Sequence, residues 1–202
     1  MNDQYLLIQM EHLKEAWLRG KSILEQALPA RKEDDCFYFQ AFGETCKLCQ
    51  DAISLGGKPA TGPEGILISL YARNVRDEPA EIHPLQSFKE LTNSGPYQGA
   101  FVARSEQVLV PHVLSIQRQK QAIAEYFSGK VNTDAPSGDF SFTLYPLPRI
   151  PLYYIFYLPD EEFPAAVTCL FAADATSHLS VDGLADVAEY AGRKIVSFIL
   201  QS

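Results

Sequence analysis

The strongest hydrophobic pattern lies in two runs, residues 152–158 and 165–172, separated by a short acidic link. In the first run Leu152, Tyr154, Phe156 and Leu158 occupy one alternation, and Tyr153, Ile155 and Tyr157 the other. A strand with one wet side alternates apolar and polar residues, whereas a run apolar on both alternations predicts a strand covered on both faces. Pro159 and Pro164 bracket Asp160-Glu161-Glu162, so the two runs read as a central hairpin with a negatively charged tip.

Around that hairpin the spacing of apolar residues predicts three long helices. Leu6, Leu13, Ala16, Trp17, Gly20, Leu24 and Ala27 fall on one stripe of a helix over 3–28, which Pro29 ends. A second helix spans about 105–128, with Leu109, Val113, Ile116, Ile123 and Phe127 on its stripe; Pro111 marks its regular start or a kink, and Gly129 a stop. Ser180 caps a last helix that buries Leu184, Val187, Ala188, Ala191, Ile195, Phe198 and Ile199. A shorter helix over 64–75 starts at Pro63, after the glycine-rich loop 56–65.

The β-prone runs 36–42 and 45–55, joined at Gly43-Glu44, predict another hairpin. Residues 139–145 read as a half-exposed strand with Phe140, Phe142 and Leu144 inward, preceded by a polar link over 132–138. Residues 77–100 form a long irregular segment holding His83 and Tyr97, a candidate lid. Strands in pairs, with helices before, between and after, give an α+β fold. Its mainly antiparallel sheet has the 152–158 and 165–172 hairpin at its centre, packed by the N-terminal, middle and C-terminal helices. One domain over 1–202 is expected, with residues 1–30 as a helical extension.

Composition narrows the partners. The chain of 202 residues is nearly half hydrophobic, enough for a sizeable core, and carries a net charge of −8 without any basic run. That balance speaks against nucleic acid, whose binding needs clustered Lys and Arg. No apolar stretch approaches a membrane span and no signal-peptide pattern opens the chain, so the expected location is cytoplasmic. Four cysteines are too few for a disulfide scaffold and read as reduced thiols; Cys46 and Cys49, three apart in a strand, point to opposite faces and do not chelate one ion. No metal site is expected from them, and scattered His12, His83, His112 and His178 form no ligand motif. The glycine-rich loop lacks a P-loop ending and the dinucleotide fingerprint.

Asp160, Glu161 and Glu162 are the one dense cluster of a single functional type, with Arg149 just upstream as a counter-charge. Crowded carboxylates shift one another's pKa and can serve as acid and base, although three consecutive residues do not converge on a cation. The plainer reading is a solvated tip that blocks edge pairing.

The Pro148-Arg-Ile-Pro-Leu152 signature, the Asp160-Glu-Glu-Phe-Pro-Ala165 link, Leu170-Phe171 with Asp174, and upstream Phe42-Gly43, residues 66–71 and Gly99-Ala-Phe-Val-Ala-Arg104 resemble an uncharacterised bacterial and archaeal family, a domain of unknown function. The resemblance covers about residues 36–200. Some relatives are joined to a four-cysteine iron–sulphur domain of the kind found beside corrinoid proteins; this chain has no such cysteine run, so no cluster is carried over. The resemblance implies no activity, and it implies that the residues of its motifs matter beyond solubility.

Two functions follow as expectations. The first is a non-catalytic ligand-binding or accessory module of anaerobic redox or one-carbon metabolism, its site formed by Asp160, Glu161, Glu162, Arg149, Tyr97 and Arg104. The second is a hydrolase or lyase using the three carboxylates, with or without a divalent metal. A small molecule or a protein is the expected partner, no cofactor is specified, and the N-terminal helix is a candidate homodimer interface.

Overall fold

A computed structural model describes residues 2–133 and 138–201 of the chain. The elements run α1 (Asn2–Leu18), α2 (Lys21–Ala27), β1 (Arg31–Glu33), β2 (Cys36–Ala41), β3 (Glu44–Leu48), β4 (Ile53–Leu55), β5 (Lys58–Pro59) and α3 (Pro63–Asn74). There follow β6 (Gln86–Ser87), α4 (Gln98–Phe101), a π-helical turn (Val102–Glu106), α5 (Val113–Tyr126), β7 (Lys130–Val131), β8 (Phe140–Leu147), β9 (Ile150–Tyr157), β10 (Ala166–Phe171), α6 (Ala175–His178) and α7 (Val181–Gln201). The fold is α+β, as the pattern predicts. Its strands form two antiparallel five-stranded sheets among the described residues, where one was expected: β1-β2-β3-β4-β5 and β6-β10-β9-β8-β7.

The central hairpin sits where expected. Strand β9 is the middle strand of the second sheet, paired with β10 and β8, and all its residues but Tyr157 are buried. Phe142, Tyr154 and Phe156 make one aromatic face, with Phe140 stacked on Phe156 at 4.6 Å. On the opposite alternation polar groups pair with one another. Ser141 Oγ and Tyr153 Oη share a hydrogen bond of 3.1 Å, and Asn132 bridges Ser141 and Thr143. Burial of Ser141 and Thr143 corrects the half-exposed reading of β8: their hydroxyls are tolerated inside because each finds a partner. Of the polar link over 132–138, residues 134–137 lie outside the described residues.

The first sheet is a meander of tight turns. Phe42 and Gly43, with φ of 51° and 80°, close the β2–β3 hairpin; Gly56 and Gly57 close β4–β5 in the same left-handed way. A side chain at Gly43 would strike the Tyr126 ring, so that turn needs glycine for space as well as for φ. The expected strand over 45–55 is interrupted, because β3 ends at Leu48 and the chain turns through 49–52, where Cys49 N–H bonds Ala52 C=O at 2.9 Å. The glycine-rich stretch is thus half hairpin turn and half helix start.

Two helices also depart from their expected lengths. The N-terminal one breaks at Gly20 (φ 95°) into α1 and α2. Arg19, at the break, donates to the carbonyls of Ala72 (2.8 Å) and Arg73 (3.2 Å) at the end of α3, a cation on the negative pole of a helix. The middle helix begins as α4, swells into the π-helical turn, and resumes as α5 after a 3₁₀ turn at Pro111. The 77–100 segment carries short elements: β6 pairs with β10, Ser87 and Glu90 form a capping box, and Phe88 is buried in a stack with Phe101 at 4.2 Å. That part is stitched to the sheet edge.

Helices α3, α5 and α7 pack together, α1 lies along α3, and one apolar cluster joins residues of both sheets and these helices. No helix among the described residues is long and apolar enough to cross a membrane.

Candidate functional site

The residues singled out in the sequence lie at separate places. Asp160, Glu161 and Glu162 are exposed, and none lines any of the five leading clefts. Asp160 Oδ1 accepts the backbone N–H groups of Glu162 (2.8 Å) and Phe163 (2.7 Å), which holds its carboxyl below the usual range and fixes the turn. Arg149 is not their counter-charge. It occupies the tight Pro148-Arg149 turn between β8 and β9, and its guanidinium donates to Ala27 C=O (2.9 Å) and Gln26 C=O (2.8 Å) at the end of α2. Its own N–H donates to the buried Tyr71 hydroxyl at 3.2 Å. Tyr97 is an exposed ring on a 3₁₀ turn, and Arg104 pairs with Glu189 at 3.6 Å over a small cleft also lined by Tyr5, Asp186 and Arg193.

Inside the second sheet lies a group of polar side chains that the pattern does not reveal. Glu106, on the π-helical turn, accepts the N–H of Cys169 at 2.9 Å from within the protein, and burial raises its pKa. The Tyr154 hydroxyl lies against the Cys169 thiol, and both are pushed up by complete burial. None of these groups lines the five leading clefts, and they join β9, β10 and the π-helical turn.

Among the five leading clefts of the described residues the roomiest lies elsewhere, where α1 crosses one end of the first sheet, with a volume of about 1060 Å³. Three pieces of chain build it. From α1 come Met10, Trp17 and Leu18, with Glu11 and Lys14 between them. From the β1–β2 turn come Asp34 and Asp35, held at φ of 47° and 62°, a conformation Asp tolerates better than most residues. From the β3–β4 loop come Cys49, Gln50 and Asp51. Trp17 packs edge-on against Phe37 of β2 at 5.8 Å, which anchors α1 over the sheet. Its Nε1 is buried without an acceptor among the described residues.

The walls are mostly apolar and the rim is charged unevenly. Four carboxylates (Glu11, Asp34, Asp35 and Asp51) face two ammonium groups, Lys14 and Lys21. Lys21 is already bonded to Asp35 at 2.7 Å, which lowers that carboxyl's pKa. Met10 and Leu18 are 41% and 79% exposed, an unusual loss of apolar surface to water on a helix that buries Leu13 and Ala16 completely.

The floor holds the main correction to the sequence reading. Cys36 and Cys49 are joined in a disulfide, not reduced; Cys46 and Cys169 are free and buried. Cys36 starts β2 and Cys49 follows β3, so the bond prolongs the β2–β3 ladder by one rung beyond the Phe37–Leu48 pair. The bond overturns the expectation that all four cysteines are reduced thiols. Among the described residues no group of three or more His, Cys, Asp or Glu side chains is arranged to hold a metal ion.

No curated protein and no solved structure matches the chain. Residues 22–194 match a family described as a domain of unknown function, DUF3786. That span takes in α2 and both sheets and leaves α1 outside. The protein, whose two sheets and disulfide-floored cleft are described above, therefore belongs to the DUF3786 family.

Proposed function

We propose that this protein is a non-catalytic binding module whose ligand is a small organic cation with an apolar body, held in the cleft between α1 and the first sheet. The site is this cleft and not the β9–β10 tip, because an apolar concavity with a few charges is the usual form of a small-molecule site. The observation that carries it is the composition of this one cleft. Met10, Trp17 and Leu18 are apolar surface, and Glu11, Asp34 and Asp51 outnumber Lys14 once Lys21 is paired with Asp35. A positive group is favoured by that excess, and an apolar body gains by covering Met10 and Leu18.

The test uses 2-phenylethylamine and its anionic counterpart of similar size, 3-phenylpropionate. A fragment of this size binds at about 1 mM, about −4 kcal/mol. At ten times that concentration the amine adds about 1.4 kcal/mol of stability and raises the Tm by about 3 °C, while the acid leaves it unchanged. Leu18→Lys places a like charge at the mouth on a side chain that is already exposed. This variant should melt as the parent does and lose the response to the amine. Equal shifts for amine and acid, or an undiminished shift in the variant, reject the proposal.

A further inference from the structure

The Cys36–Cys49 bond lines the floor of the cleft beside α1, and its two residues differ in exposure. Cys36 is 8% exposed, beneath the Asp34-Asp35 turn, whereas Cys49 is half-exposed at the start of the 49–52 loop. Both cysteines line the cleft and Cys49 is the more exposed residue, which favours attack at Cys49 with Cys36 as the leaving group. The ladder does not need the bond: β2 and β3 are paired over five residues without it, from Phe37–Leu48 to Ala41–Glu44. The other two cysteines are fully buried and take no part.

From this geometry we infer that Cys36–Cys49 is a thiol–disulfide exchange site that reacts with dithiols entering the cleft. A thiolate of the dithiol attacks Cys49 Sγ along the S–S axis. A new S–S bond forms to Cys49, the Cys36–Cys49 bond breaks, and Cys36 leaves as a thiolate that takes a proton from solvent. The second thiol of the partner, as its thiolate, then attacks the partner's own sulphur in the mixed disulfide and releases Cys49 as a thiolate, which takes the second proton from solvent. Two electrons pass from the dithiol to the protein, and the partner leaves as a disulfide; the reverse sequence oxidises a dithiol pair on this chain. The inference depends on access through the cleft and holds whether or not an organic cation binds there.

The cleft also sets which thiols react. Its four carboxylates against two ammonium groups raise the local concentration of a cationic thiol and lower that of an anionic one. At equal thiolate concentration, cysteamine should exchange at least five-fold faster than 3-mercaptopropionate, and the ratio should shrink towards one in 1 M salt.

The experiment treats the full chain, oxidised with cystamine, with each monothiol in turn, quenches with acid and locates the adduct by mass spectrometry. The expected product is a mixed disulfide on Cys49 with Cys36 free, formed under native conditions at a rate that low denaturant does not change. An adduct on Cys36, exchange whose rate follows global unfolding, or failure of the folded chain to form the Cys36–Cys49 bond in cystamine each overturns the inference. Two variants give a second measurement: the free Cys49 of Cys36→Ser should react with an aromatic disulfide at least ten-fold faster than the free Cys36 of Cys49→Ser. Equal rates overturn the inference as well.

Discussion

Glu106 shows how one side chain can hold a seam of the core at some electrostatic expense. Its carboxylate satisfies the Cys169 N–H, and burial disfavours its charged form. Its folded pKa lies above the unfolded one, so the stability linked to it is full at low pH and is lost as pH rises through the folded value. Glu106→Gln keeps an acceptor and removes the charge; the variant should unfold at the same or a higher urea concentration than the parent at pH 7. Glu106→Ala leaves the N–H unpaired beside Tyr154 and should cost about 1–3 kcal/mol. A loss in Gln as large as in Ala would show that the charge itself is needed.

At the same scale the cysteine pairing was within reach of the sequence. A two-residue turn at Phe42-Gly43 sets Ala41 against Glu44 and, counting outward, Cys36 against Cys49. Placing the link one residue later, at Gly43-Glu44, slides the register by two, so that Cys36 falls opposite Asp51 and the pair is hidden. The turn has φ > 0 at both positions, and Phe is an unlikely occupant of the first, so its side chain gave no warning. It is held there by its backbone N–H on Pro146 C=O (2.6 Å) and by its ring on Tyr190, contacts from distant parts of the chain.

Among the elements, β9 is buried along nearly its whole length, and its double-sided pattern was the plainest feature of the sequence. Phe156→Ala, in the middle of the stacked rings of Phe140, Phe142 and Tyr154, should cost about 3–5 kcal/mol. Phe163, in the β9–β10 link and 66% exposed, is the matched control, and Phe163→Ala should change stability by less than about 0.5 kcal/mol. Urea denaturation of both variants checks this; similar losses would mean that the link packs against something. Helix α1 and the 77–100 segment were harder to read for opposite reasons. In α1 the stripe was legible, but its exposed second stripe, Leu7, Met10 and Leu18, has meaning only once a cleft forms beside it. In 77–100 the anchors are single residues, Phe88 and Leu91, too few to make a period. The π-helical turn has no sequence signal, and it decides that Glu106 faces the sheet.

For the molecule as a whole, the histidines set a pH limit. His178 is fully buried 3.3 Å from Asp174, and His12 bonds Ser69 at 3.2 Å; burial is the main reason that both pKa values fall below the ordinary 6.5. The unfolded chain therefore takes up their protons first as pH falls. Stability from these two groups is full above about pH 6.5 and declines below it, whereas Glu106 and Asp186, with raised pKa values, act in the opposite sense towards lower pH. The difference between parent and His178→Asn isolates the first effect. The variant's urea midpoint should fall less than the parent's between pH 7.5 and pH 5.5, whatever its stability at pH 7.5. Parallel declines would remove His178 from the account.

The chain's fold class, helix stripes and central strand were legible because each is a periodic pattern along a short stretch. The cleft was not, since it is assembled from α1, the Asp34-Asp35 turn and the 49–52 loop, which only the tertiary structure brings together. The chain contains one tryptophan, Trp17, and it stands in that cleft, so its indole N–H gives a single resonance that reports occupancy. The most direct measurement is that resonance in a ¹⁵N-labelled sample during titration with 2-phenylethylamine and, separately, 3-phenylpropionate. A saturable shift with the amine, absent with the acid and absent in Leu18→Lys, is the result predicted; a resonance unmoved by the amine, or moved equally by both, contradicts the assignment of this cleft as the binding site.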